Sequence, residues 1–350
     1  MNMKYIEKVS SEKWSKIYKL AQDFNKLKCW EWMLDSDIFG VKNPTDGKIG
    51  YCCIMGRLGR FKGLSVYLGT EGLESYLKIC SGKIEAGSFE SLLNQKCLML
   101  SYGDINDMEM EDYNNLKYAD ITFKENEYPI FRNYNTGYLP WFINNNDADF
   151  IINVLEQVIN VSLRAKESKD FLESEKKAFL VRVKGRKAWT DKYLKPEKIS
   201  SKTIKPIIDN DLLDSLDIDS FKREGTWNIA SANVPTAIRE NNERPYYPYI
   251  FVMSEKDSTS PIGFEICEYS KIYNRYPSIF IKTMIENKVI PERIIVFQKE
   301  IKKLLEPITD KLKIKISLNK NVGKMKLVIE EIINIINSDE SEVEEIISQK

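Results

Sequence analysis

Two adjacent cysteines, Cys52 and Cys53, lie in the segment GYCCIMG and are the first residues whose types suggest chemistry. Paired thiols could bind a metal ion or form a redox pair. The segment is short and apolar like a β-strand, however, and neighbouring side chains of a strand point to opposite faces. Because cysteine is among the most often buried residue types, we expect both side chains to pack in a core, with a metal or redox site as the alternative.

The chain of 350 residues contains no histidine. Histidine is the side chain whose ordinary pKa lies near neutrality, and it serves as a general base and as a metal ligand. Its absence excludes Ser-His-Asp and Cys-His nucleophiles and every histidine metal site. We therefore expect a protein without catalytic activity and without a cofactor.

The densest group of charges that could bind a ligand is basic. Between residues 176 and 205 there are eleven Lys and Arg and two acidic residues, in a predicted hairpin that turns at 184–187. The candidate residues for binding an anion or nucleic acid are Arg182, Lys184, Arg186, Lys187 and Trp189. The cations would contact phosphates and the indole would stack on bases. Alternatively, the acidic run DNDLLDSLDIDSFKRE that follows neutralises a solvent-exposed face.

A weaker candidate is a carboxylate metal site in the C-terminal half. The predicted order hairpin, helix, strand, helix, strand resembles part of the ribonuclease-H-like fold, which clusters carboxylates around Mg²⁺. Asp257 and Glu265 lie on or near this hairpin. Asp257 is expected in the turn, and Glu265 and Glu268 are expected on opposite faces of one strand, so the constellation is poor.

Two further segments have unusual composition. Residues 104–127 hold eight acidic residues and two lysines, although the whole chain has 52 basic and 52 acidic residues. That overall balance argues mildly against a protein that grips a long stretch of DNA. The aromatic segment YPIFRNYNTGYLPWF at 128–142 forms either a groove for a partner peptide or a packed aromatic corner.

The elements that position these residues predict an α+β protein of two domains. Apolar residues at helical spacing predict helices over 11–28, about 147–167 and 324–337. Pro277 is expected to open another helix, and Pro307 to kink or split one. Short apolar runs predict strands at 51–55, 64–68, 96–104, 225–234, 249–255, 262–269, 293–297 and 313–318. The strands at 293–297 and 313–318, with a helix between them, predict a parallel βαβ unit within a mixed sheet of the second domain.

The predicted boundaries follow changes in composition. The polar run RAKESKDFLESEK has no core pattern and ends the first domain. The predicted parts are an N-terminal α+β domain (1–167), a basic hairpin and connecting region (168–244), a C-terminal α/β unit (245–338) and an acidic tail (339–350).

The chain has no apolar run near the ~18 residues that span a bilayer, and its start lacks the apolar region of a signal peptide. We therefore expect a cytoplasmic protein with no membrane contact and with six free thiols. The abundance of Lys, Ile and Asn is typical of an AT-rich bacterial genome.

Three stretches, GYCCIMGRLGRFKGLSVYLGTEGL, YPIFRNYNTGYLPWF and NKVIPERIIVF, together resemble a bacterial family of two-part proteins described only as domains of unknown function. The resemblance spans most of residues 30–165 and 245–335, and it implies no established activity. The leading hypothesis is therefore a non-catalytic binding or scaffold protein with an unknown protein partner. The alternatives are nucleic-acid association through the basic hairpin and a degenerate metal-dependent ribonuclease-H-like enzyme.

Overall fold

The structure is a computed structural model of the chain. It describes residues 8–334 except 58, 60, 120, 174–177, 199–204, 217, 241–242, 320 and 322. The chain divides into two compact units, residues 1–199 and 200–350. Both units combine helices with a mixed sheet that contains a parallel pair, so the predicted α+β class is confirmed.

The described strands of the first unit form one sheet. They are β1 (Phe39–Lys42), β2 (Ile49–Met55), β3 (Gly63–Leu68), β4 (Cys97–Gly103), β5 (Tyr128–Tyr134), β6 (Phe179–Lys184) and β7 (Trp189–Leu194). Their order across the sheet is β5-β4-β3-β2-β1-β6-β7. Neighbouring strands are antiparallel except β1 and β6, which run parallel with Gly40 opposite Val181. The predicted basic hairpin is β6–β7, and it forms one edge of this first sheet.

Helices cover both faces of the first sheet. They are α1 (Ser11–Leu27), α2 (Gly69–Cys80), α3 (Phe89–Asn94), α4 (Met110–Leu116) and α5 (Asn145–Glu167). The apolar faces of α1 and α5 pack on one side of the sheet, where Phe24 and Val158 are fully buried. Helix α2 packs on the other side. Asn144 caps α5, because its side chain accepts hydrogen bonds from the first free amides of the helix.

The second unit contains a five-stranded sheet and a separate small parallel pair. The described strands are β8 (Lys222–Arg223), β9 (Thr226–Asn233), β10 (Tyr249–Glu255), β11 (Pro261–Cys267), β12 (Val289–Ile290), β13 (Arg293–Val296) and β14 (Lys315–Leu318). The five-stranded order is β11-β10-β9-β13-β14, and β8 pairs with β12. Strand β10 is antiparallel to both neighbours, whereas β13 is parallel to β9 and β14. The predicted parallel βαβ unit is therefore confirmed.

Helices also cover both faces of the second sheet. They are α6 (Asn210–Asp214), α7 (Ile272–Asn287), α8 (Lys299–Leu312) and the helical residues 325–334, which we call α9. Helices α7 and α8 pack on one face of the sheet, and α9 packs on the other. Within the described part of the chain, no helix has the length and apolar character needed to cross a membrane.

Two prolines lie inside helices. The expectation that Pro277 opens α7 is wrong, because the helix begins at Ile272. The missing amide of Pro277 leaves the carbonyl of Tyr273 without its helical partner, and the Ile207 amide donates to that carbonyl at 2.9 Å instead. Pro307 lies within α8 and does not split it. Tertiary packing and an outside donor therefore offset the cost of proline within a helix.

Candidate functional site

The base of the β6–β7 hairpin is an ion-pair network around a buried arginine. Arg182 is 9% exposed, lies on the sheet face covered by α5, and donates from Nε to Gln157 Oε1 at 3.0 Å. Its guanidinium also pairs with Asp191 across the hairpin, and Arg164 Nη2 lies 2.6 Å from the other oxygen of that carboxylate. Arg182 was predicted to bind an anion, but its guanidinium nitrogens already form hydrogen bonds within the protein.

The pKa of Asp191 reflects this position. Partial burial acts to raise the pKa, but hydrogen bonds and charge from Arg164 and Arg182 outweigh it and lower the pKa below its ordinary value. The carboxylate therefore stays charged and links β7 to β6 and to α5.

The tip of the hairpin differs from its base. Gly185 and Ala188 close the turn with a backbone hydrogen bond of 2.9 Å. Lys184, Arg186 and Lys187 are exposed there, and among the described residues no acidic side chain lies within 4 Å of their charged groups. These three predicted residues are therefore brought together on the surface, and the described residues provide no counter-charge to them.

Trp189 joins the tip to the core. Its ring is half-buried against the core between the first sheet and α5, and Lys184 Nζ lies 5.9 Å from the ring centroid. This separation is within the range of a cation–π contact. The indole presents part of its surface beside the exposed cations, while the rest anchors the hairpin.

Strand β7 extends the basic surface along an edge. Lys192 and Lys195 are exposed, and no acidic group in the described part of the chain lies within 4 Å of either. Apart from β6, no described strand pairs with β7, so its outer backbone edge is open. We call Lys184, Arg186, Lys187, Lys192 and Lys195 the basic hairpin surface.

The acidic run after the hairpin was the predicted source of neutralising charge. Two of its members have partners in the second unit: Asp209 caps α6 by accepting from the Leu212 amide at 3.0 Å, and Asp214 pairs with Lys311 at 2.7 Å. These contacts use acidic groups for the second unit's own structure rather than for the hairpin.

The second sheet has a different candidate position. Strands β9 and β13 are adjacent and parallel, and from their carboxyl ends the chain continues to β10 on one side and β14 on the other. Such a divergence is where open α/β sheets bind ligands. Three side chains meet there, and the sequence analysis did not identify any of them: Ser231, Tyr276 and Gln298.

Ser231 links the other two residues by hydrogen bonds. The Gln298 amide donates to the Ser231 carbonyl at 2.8 Å and accepts from the Ser231 amide at 3.2 Å. Ser231 Oγ and Tyr276 Oη are 2.9 Å apart. Burial raises the pKa of Tyr276, so its phenol stays neutral. A neutral group therefore occupies the divergence of β9 and β13.

The two predicted carboxylates are not brought together. Asp257 lies in the turn after β10, beyond the pairing of Glu255 with Trp227 at the start of β9. Glu265 pairs in register with Phe251, near the other end of β10, and contacts Arg275 at 3.5 Å. Among the described residues, no group of three or more Cys, Asp and Glu side chains could hold a metal ion.

The adjacent cysteines lie on opposite faces of β2, as predicted. Cys52 belongs to the core shared with α1 and α5, whereas Cys53 belongs to the core beneath α2. Burial raises the pKa of both thiols. All six cysteines lie in the described part of the chain, and Cys80 is the exposed one. The raised pKa values disfavour the thiolate that metal binding or redox chemistry would use.

The aromatic segment also has a structural role. Its first half is β5, where Phe131 is buried, and the Asn133 amide donates to the Trp141 carbonyl at 2.7 Å. Arg132 lies over the Phe142 ring at 4.7 Å and pairs with buried Asp112 at 2.6 Å. These contacts support the packed-corner interpretation.

Family comparisons agree with the two-unit architecture. One family model, a domain of unknown function (DUF7309), matches residues 14–182, and a second domain of unknown function (DUF6930) matches residues 215–333. The first match lies within the first unit and the second match within the second unit. A search of curated proteins finds no match. The first match ends at Arg182, so the tip of the hairpin lies outside both domain matches.

Proposed function

We propose that this protein is a non-catalytic binding protein that docks an acidic protein surface on the basic hairpin surface. The observation that carries the proposal is the exposure of Lys184, Arg186 and Lys187 without a counter-charge within 4 Å among the described residues. Cations that have no intramolecular partner are available to the carboxylates of another molecule, where they promote association and set orientation.

The non-catalytic part of the proposal is supported by the divergence of β9 and β13. The strand order of the second sheet extends the likeness to the ribonuclease-H-like fold, but fold alone does not establish activity. The neutral set of Ser231, Tyr276 and Gln298 occupies the divergence of β9 and β13. Titration of the full chain with Mg²⁺ or Mn²⁺ in a calorimeter should give no binding heat. Metal-dependent hydrolysis that is lost in Glu265→Gln would contradict the proposal.

Binding is tested with a labelled polyglutamate peptide by fluorescence anisotropy. The full chain should bind the peptide at low salt, and the triple variant Lys184→Ala, Arg186→Ala, Lys187→Ala should weaken binding about tenfold or more. The matched control removes three exposed lysines elsewhere in the first unit. These are Lys19, Lys78 and Lys83. Equal loss in the control and in the tip variant would show a nonspecific charge effect and overturn the proposal.

Nucleic-acid association is the second candidate, supported by Trp189 beside Lys184. Exposed aromatic surface next to cations suits stacking on single-stranded bases. A labelled single-stranded oligonucleotide should then bind more tightly than polyglutamate, because its phosphates contact the cations while its bases stack on Trp189, and polyglutamate has no bases. Binding that falls steeply with salt and is weakened by Trp189→Ala would favour this candidate.

We also propose a bacterial cytoplasmic location. The support is that all six cysteines are free in the described chain and five of them are buried. Fractionation of the native host, with the protein recovered in the cytoplasmic fraction, is the expected result.

A further inference from the structure

The two edges of the first sheet carry opposite charge. Residues 104–127, which connect β4 to β5, lie at one edge, and the basic hairpin surface lies at the other. We call 104–127 the acidic segment. With neighbouring strands about 4.8 Å apart, seven strands place the two edges about 29 Å from each other. The charge of the first unit is thus separated across its sheet.

The acidic segment and the hairpin tip also lie at opposite ends of the strands. Successive antiparallel pairs from β1 to β4, and the parallel pair β1–β6, make β4 antiparallel to β6. The acidic segment follows the end of β4, and the tip follows the end of β6. The two surfaces are therefore diagonally opposed, at a separation well beyond the Debye length of about 10 Å at 0.1 M salt. They cannot neutralise each other within one molecule.

Much of the acidic charge is unpaired. Glu109 and Asp112 pair with Arg132. Five more acidic residues of the segment have no Lys or Arg group within 4 Å in the described part of the chain. These are Asp104, Asp107, Glu111, Glu125 and Glu127. Met110 is 74% exposed beside them and Tyr113 is 39% exposed. The segment therefore offers apolar contact area together with negative charge.

The basic hairpin surface is complementary in both respects. Its five cations have no acidic group within 4 Å in the described part of the chain, and Tyr193 on β7 is 49% exposed. We propose that the acidic partner of the hairpin is the acidic segment of a second copy of this chain, so that copies associate head to tail. This inference rests on the proposed function, because it names the partner of the same surface. The two contacting surfaces differ, so association extends to a ring or an open chain of copies.

Light scattering of the full chain over a range of concentrations tests the association. At low salt the mean mass should rise with concentration, and at about 0.5 M salt it should return to that of one chain, because screening weakens contacts between exposed charges. A mass of one chain at every concentration in low salt would overturn the inference.

Charge reversal on each surface tests the contact itself. One variant carries Lys184→Glu, Arg186→Glu and Lys187→Glu, and a second carries Glu111→Lys, Glu125→Lys and Glu127→Lys. Each variant alone should remain a single chain, because the first variant has two acidic surfaces and the second has a segment without net charge, so copies of one variant no longer attract each other. An equimolar mixture should associate again, since the unmodified acidic segment of the first variant meets the unmodified basic hairpin surface of the second. Failure of the mixture to associate, with both variants folded by circular dichroism, would overturn the inference.

The matched control and the peptide assay separate this inference from the proposed function. Reversal of Lys19, Lys78 and Lys83 to Glu should leave wild-type association unchanged within about twofold, because these exposed lysines lie outside the hairpin. A chain that binds polyglutamate but does not self-associate retains the proposed function and loses this inference. A chain that does neither loses both.

Discussion

The base and the tip of the β6–β7 hairpin contain the same residue type in two environments. Arg182 is bonded to Gln157 and Asp191 beneath α5, whereas Arg186, four residues later, is exposed. The reason lies in the sheet: β1 pairs with β6 only at Val181 and Arg182, and beyond that point the hairpin projects past β1. Position relative to the neighbouring strand, and not charge, separates a structural arginine from an available one.

The largest expected effect is on the buried arginine. Arg182→Ala should lower the free energy of unfolding of the first unit by about 3 kcal/mol, because it leaves Gln157 without its partner and Asp191 with Arg164 alone. Differential scanning calorimetry measures this loss. Arg186→Ala is the matched control and should change stability by less than about 0.5 kcal/mol. Equal losses in the two variants would remove the distinction between base and tip.

A smaller effect is expected at Asp191, which is partly exposed and screened by solvent. Asp191→Asn should cost about 1 kcal/mol near neutral pH, through weaker hydrogen bonds to Arg164 and Arg182. The folded pKa of Asp191 is lowered, so its stabilisation is fully present above the unfolded value of about 3.9 and is lost as pH falls through the folded value. The stability difference between wild type and variant should therefore shrink below about pH 4. A difference that does not vary with pH would contradict this ionic role.

The smallest effect on stability is expected at the tip. Lys184→Ala with Lys187→Ala should change the free energy of unfolding by less than about 0.5 kcal/mol, since both side chains are exposed. Denaturant unfolding followed by tryptophan fluorescence measures this. A substantial loss of stability would show that the tip cations support the fold, and binding defects of tip variants would then need another explanation.

Much of the fold follows from local patterns. Helices α1 and α5, the hairpin β6–β7 and the strands of the second sheet have the predicted type and nearly the predicted bounds. Strand β5 is not among the predicted strands, because the aromatic composition of 128–142 indicates only a packed corner or a groove. Strand β1 is four residues long, and so short a run has no distinctive period.

The placement of the hairpin could not be predicted from local sequence. The pattern located β6 and β7 correctly but assigned them to a region after the first domain, whereas they complete the first sheet by pairing with β1. That pairing joins residues distant in sequence, and apolar periodicity carries no information about such partners. For the same reason the burial of Arg182 could not be predicted, because it depends on contacts with Gln157 and Arg164. The sequence does place those two residues seven positions apart, on one face of a helix, and this spacing was the available sign of a polar contact there.

The candidate position in the second sheet was missed for a related reason. Gln298 follows a strand that was predicted, but its role depends on β9 and β13 being neighbours with parallel direction. Once that topology is known, Gln298 is a candidate ligand-binding residue, because open α/β sheets bind ligands beyond the carboxyl ends of such diverging strands. Without it, Ser231, Tyr276 and Gln298 are unremarkable residues on three separate elements.

The pairing of β6 with β1 also bears on how the first unit is made. The ribosome synthesises β1 early and β6 near the end of the unit. The backbone edge of β1 therefore stays unpaired while the strands and helices between them are synthesised. A chain truncated before Phe179 would leave that edge permanently bare, and an uncovered edge is a template for aggregation. The hairpin is thus the last part of the first sheet that the nascent chain can add.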